Sequence, residues 1–155
     1  MSGMSHLDDR GQARMVDVSA KPETEREAVA EAVVALAPAT RQALFSGDLP
    51  KGDARAVVRI AAIMGAKRTA DLVPLCHPLA LTAVEADVEE VEAGARIEVR
   101  VRTTGRTGVE MEAMTGAAIG AVALYDMVKG LDRGAEIGTV RLLAKSGGRS
   151  GEWRR

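Results

Sequence analysis

Aromatic side chains are almost missing from this sequence: Phe45, Tyr125 and Trp153 are the only three among 155 residues. So few ring faces argue against a sheet that stacks nucleic-acid bases, and they leave Ala, Val, Leu, Ile and Met to build the core. A single cysteine, Cys76, excludes an internal disulfide. Net charge is equally scarce, since 21 Lys and Arg stand against 22 Asp and Glu for a formal −1. No overall field therefore draws nucleic acid or a membrane surface. The standard phosphate cradles are missing as well: there is no GxxxxGK[ST] and no GxGxxG, and the glycine-rich GGRSG at 147–151 follows a strand without opening a helix. The N-terminal stretch has none of the apolar run of a signal peptide, which gives a cytoplasmic protein as the expectation.

What is present is globular, with 46% hydrophobic and 28% charged residues. The length suits one domain with one core. Residues 1–14 are polar and aperiodic and are expected to be a flexible leader, residues 15–151 a single domain, and residues 152–155 a flexible tail. MVDVS at 15–19 alternates apolar and polar residues as a short strand does. For 26–37 the residues leave two choices open: the Ala and Glu content suits a helix, while Ala28, Ala30, Ala32, Val34 and Leu36 fall on alternate positions as in a half-buried strand. Residues 39–47 predict a short helix stopped by Gly47. After the loop that carries Lys51, Asp53 is placed to cap a helix in which Val57, Ile60, Ala61 and Met64 recur at helical spacing. Pro74 and Pro78 then hold VPLCHP as a stiff, non-helical turn. Two alternating strands, 82–88 and 97–103, are joined closely enough for a hairpin, with acidic residues on the outer face of the first and basic residues on the second. The run from Val109 to Leu131 predicts a long, mostly buried helix, with Gly116 and Gly120 allowing another element to approach. TVRLLA at 139–144 predicts a last strand. The sum is an α+β domain: an antiparallel sheet with helices packed on one face.

Several ionisable residues stand where folding alone would not favour them. Asp126 and Lys129 lie about 60° apart around the long helix and so share a face, either as an ordinary i,i+3 ion pair or as part of a site. His77 sits in the proline-bracketed turn, where a fixed backbone can aim an imidazole or simply bond it in place. A zinc site is not formed by Cys76 and His77, because three or four ligands are needed and the other histidine, His6, falls in the leader. Lys51, Lys67, Arg68, Lys129, Lys145 and Arg149 lie at loops or element ends, where they can remain solvated or converge on phosphate.

Taken together, KRTADLVPLCHPL at 67–79, KGD at 51–53, GVEMEAMTGAA at 108–118 and ALYDMVK at 123–129 resemble the MoaC family of molybdenum cofactor biosynthesis, in order and in separation. MVDVSAK, TGRTGVEME and RLLAKSGGRSG extend the resemblance over roughly Met15 to Gly151. It departs at Ala70, in the leader and in the final EWRR. The resemblance implies a strand at 26–37 and a ferredoxin-like fold. It also implies an enzyme, a phosphorus–oxygen lyase that converts 3′,8-cyclo-7,8-dihydroguanosine 5′-triphosphate into cyclic pyranopterin monophosphate and diphosphate. Asp126 is the implied catalytic carboxylate with Lys51 and Lys129 as partners, and Leu75, Cys76, His77, Met111 and Glu112 are implied substrate contacts. Lys21 and Arg26 are weaker candidates for phosphate contacts.

A carboxylate flanked by two lysines suits that chemistry, offering a base together with acids whose pKa neighbouring charges can lower. No cofactor and no protein-bound metal are implied, and a magnesium requirement is left open. Homohexamers built as trimers of dimers, with no nucleic-acid or membrane partner, are the family's assembly. Glu112 and Asp126, fourteen residues apart on one helix, are separated by roughly 21 Å, so a site using both has to be shared between subunits. The competing classes are a non-catalytic regulator that binds a phosphorylated metabolite between subunits, and a structural assembly protein.

Overall fold

The strand that propensity alone would make a helix is the centre of the sheet. In the computed structural model, which describes residues 6–155, β1 (Thr24–Ala35) is hydrogen-bonded along both edges, antiparallel to β3 (Gly94–Gly105) and to β4 (Glu136–Ser146). Ala28, Ala30, Ala32 and Val34 are fully buried on one face, facing the same core as Val101, Val99 and Ile97 of β3. Burying that row and pairing both edges outweigh the helix preference of Ala and Glu.

Between β1 and the hairpin come α1 (Pro38–Ser46), α2 (Ala54–Lys67) and the single turn α3 (Thr69–Leu72). Gly47 ends α1 in the left-handed conformation, and the Asp53 carboxylate accepts a hydrogen bond from the Ala56 amide at the start of α2, as the capping pattern predicts. The hairpin joins β2 (Ala83–Val91) to β3 through Glu92 and Ala93. Its outer face carries the expected opposite charges, with Glu89 2.5 Å from Arg96, Glu85 paired with Arg102, and Arg100 reaching Glu27 of β1 at 2.7 Å. α4 (Glu110–Val128) follows, then β4 and the short β5 (Trp153–Arg154).

The strand order is β2-β3-β1-β4-β5, and the first four make the ferredoxin-like arrangement with the helices on the alanine face of the sheet. α4 is the one helix among the described residues long and apolar enough to cross a membrane. It is the core helix of the domain, packed on β1, β3, β4 and α2. Gly116 and Gly120 allow that closeness: a Cβ at Gly116 would lie 2.9 Å from the Ala62 carbonyl oxygen of α2, and one at Gly120 3.1 Å from Ile97 Cγ2.

Three expectations need correcting. The α2 residues that announce the helix, Val57, Ile60 and Met64, are exposed, whereas Ala54, Val58, Ala62, Gly65 and Ala66 face inward. The side facing the α4 glycines is mostly alanine, Ala62 lying against both Gly116 and Gly120, with Val58 the one larger side chain there. Residues 15–19 form no strand; Val16 and Val18 instead line a cleft. Finally, the chain after β4 does not trail away, because positive-φ glycines at 147, 148 and 151 return it to pair as β5 on the edge of β4. Of the expected leader, residues 6–14 form a tight turn closed by the pairing of Leu7 with Ala13.

Candidate functional site

α4 carries polar groups at both ends of an apolar body. At its C-terminal end, Lys129 Nζ lies 2.7 Å from Asp126 Oδ1, and Lys51 Nζ lies 3.3 Å from Oδ2. Lys51 arrives on the turn between α1 and α2, where Gly52 takes a positive φ, and its ammonium also donates to the Asp126 backbone carbonyl at 2.6 Å. The last turn of a helix repels a carboxylate through its exposed carbonyl oxygens, and two ammonium groups offset that repulsion. Hydrogen bonds from Lys129 and then Lys51 hold the Asp126 carboxyl below the usual carboxylate range, while the Lys129 ammonium is pushed up by its bond to Asp126. That corrects the expectation of lysine acidified by its neighbours: the carboxylate between the lysines wins for Lys129. All three side chains are about half exposed. Tyr125 does not join them; its hydroxyl donates to the Arg133 carbonyl.

At the N-terminal end of α4 a cleft of about 370 Å³ opens between the proline turn, residues 16–21 and the first turn of the helix. Leu75, Cys76, His77, Met111, Glu112 and Lys21 all line it. The His77 ring is fixed by a 2.7 Å bond between Nε2 and the Val16 carbonyl. A carbonyl only accepts, so Nε2 carries the proton and Nδ1 is the nitrogen left for another partner. Glu112 is nearly buried, and burial, with Glu110 beside it, raises its pKa to about 7. Burial also pushes the Cys76 thiol up, helped by Glu112, which argues against a thiolate nucleophile. Arg26 joins neither group. Its Nε donates to Gly105 O at 3.0 Å and Nη2 to Arg106 O at 3.3 Å, tying the start of β1 to the end of β3. Among the described residues no three His, Cys, Asp or Glu side chains are grouped to hold a metal ion.

Within one chain the candidate residues thus fall into two groups rather than one pocket. His6, placed in the leader by sequence, is a lining residue of the cleft that sequence reasoning missed. The available signal was faint: Asp8 and Gly11 are turn formers that fold residue 6 back toward residue 14.

Comparison with known proteins bears on what this frame serves. The MoaC family profile matches residues 15–148. Cyclic pyranopterin monophosphate synthase from Thermomicrobium roseum is 57% identical, with 100% of this chain and 95% of the relative aligned. The proteins of the same name from Roseiflexus castenholzii and Brucella ovis are 56% and 51% identical, with 98% and 99% of this chain and 98% and 94% of the relatives covered. The two groups at the ends of α4 lie within the matched span, and the chain belongs to the MoaC family.

Proposed function

We propose that this protein is a cyclic pyranopterin monophosphate synthase of molybdenum cofactor biosynthesis, a lyase that turns 3′,8-cyclo-7,8-dihydroguanosine 5′-triphosphate into the cyclic pterin and diphosphate. The observation that carries the reading is Asp126 held between Lys51 and Lys129 in a chain so similar to synthases along its full length. Rebuilding a purine-derived ring as a pterin moves protons on and off ring nitrogens, which Asp126 can accept in its ionised form and an adjacent lysine can return. The same ammonium groups can stabilise the charge that develops as diphosphate leaves. His77, through Nδ1, and Glu112, whose pKa lies near neutrality, can hold or exchange protons at the other face of the substrate.

One subunit cannot bring the two groups around one ring, since Glu112 and Asp126 are separated by roughly 21 Å of helix. The active site in this reading is shared between subunits of a homo-oligomer, a hexamer built as a trimer of dimers, with residues 15–151 as the catalytic domain and the cytoplasm as its location. Incubation with the cyclic triphosphate, followed by chromatography for the pterin and diphosphate, tests the activity directly. Formation of neither product would remove the reading and favour a binding protein.

A further inference from the structure

His6 reaches the cleft because the chain before the family-matched region is folded back on itself. The Asp8 carboxylate accepts from the amides of Arg10 and Gln12, each at 2.9 Å, and Gly11 makes the reversal at φ +75°. The ladder is closed by Asp8 N to Gln12 O at 2.9 Å and Arg14 N to His6 O at 2.8 Å. His6 therefore stands opposite Arg14, two residues before Val16, whose carbonyl is bonded to His77. The hairpin is thus continuous with a strand of chain that is itself fastened to the cleft wall.

The chemistry of that wall is uneven. On the α4 side Glu110 is paired with Lys145 at 3.2 Å and Glu112 is buried with its pKa raised to about 7, so neither offers an anion a donor, whereas Lys21 is the lysine among the lining residues. His77 has Nε2 committed to Val16, so it offers an approaching phosphate no donor at that nitrogen. A substrate with three phosphates needs further donors that bring no negative charge, and His6, an exposed residue lining the same cleft, supplies one.

We propose that His6 is a further substrate-binding residue, donating from its imidazole to a phosphate oxygen, and that the 6–14 hairpin forms one wall of the substrate cleft. The inference rests on the reading of that cleft as part of the synthase site. The test measures steady-state turnover of the cyclic triphosphate by wild type, His6→Ala and His6→Gln, with inhibition by diphosphate and tryptic cleavage after Arg10 and Arg14. One lost hydrogen bond to a charged group should raise the KM of His6→Ala about tenfold, leave kcat within about threefold and weaken diphosphate inhibition by a similar factor, whereas His6→Gln keeps a donor and recovers most of the loss. Diphosphate should slow cleavage at the two arginines in wild type and much less in His6→Ala. An unchanged KM would overturn the proposal. So would equal loss in both variants with faster cleavage in the absence of ligand, which means that His6 only holds the hairpin together. Failure of wild type to turn over substrate would instead defeat the functional reading, and the inference with it.

Discussion

Asp126 and Lys129 face each other across one turn at the C-terminal end of α4, Oδ1 to Nζ 2.7 Å, and Lys51 closes on the same carboxylate from the α1–α2 turn. A carboxylate at that end of a helix is not there for the helix's own sake. Its removal should therefore cost chemistry and not structure. Asp126→Asn should lower turnover by about 100-fold or more while leaving the melting temperature nearly unchanged, because the amide keeps the shape but is a very poor base. Turnover close to wild type would take Asp126 out of the mechanism.

The two lysines are separable from ordinary surface charge by comparison. Lys51→Ala and Lys129→Ala should each reduce turnover at least about 10-fold, whereas Arg59→Ala, whose partner Asp87 is 3.9 Å away on the surface, should stay within about twofold. Arg96 would be a poor control, since it touches Glu89, Glu98 and the buried Glu31. Equal effects at Lys51, Lys129 and Arg59 would mean that the lysines are merely solvated.

Why the site was more legible than its surroundings is visible in particular residues. Asp126, Lys129 and His77 stand out because the motifs around them are long and an apolar run surrounds the first two, although the structure leaves Asp126 and Lys129 half exposed at the end of α4. The fold of 26–37 was undecided locally, because alanine suits both a helix and a row buried between two strands; only pairing with β3 and β4 decides it. α2 misleads in the opposite way. The apolar residues that make its periodicity visible, Val57, Ile60 and Met64, face outward, while the inner side that meets the glycines of α4 is built mainly from alanine, with Val58 against Gly120. The returns of the chain at β5 and at the 6–14 hairpin rest on short glycine turns and on segments of only a few residues, too short for a periodic signal to mark them.

Glu112 makes stability depend on pH with a definite sign. Its carboxyl has an ordinary value of 4.5 and stands at about 7 in the folded chain, so the folded state holds its proton more tightly than the unfolded state. The associated stabilisation is fully present below pH 4.5 and is lost as pH rises through about 7. Glu112→Gln, which cannot ionise, should gain stability relative to wild type over that window by on the order of 3 kcal/mol at most. Denaturant melts of both proteins from pH 4 to 8 check it; a constant difference would show that Glu112 is not the titrating group.

The separation of the two groups along α4 yields a test of the shared site that needs no image of the assembly. If Asp126 and Lys51 come from one subunit and His77 and Glu112 from its neighbour, two different inactive chains can rebuild complete sites that neither makes alone. Asp126→Asn and His77→Ala chains, denatured together and refolded, should give dimers of which about half are mixed, each with one site carrying both lesions and one carrying none. Activity should then return to roughly a quarter of wild type. Complementation requires the lesions to lie on opposite sides of a subunit boundary, because a site built within one chain retains its lesion whatever its neighbour carries. Mixtures as inactive as their parents, with chain exchange verified by mass spectrometry, would put all four residues in one subunit's site and require α4 to bend or break to bring them together.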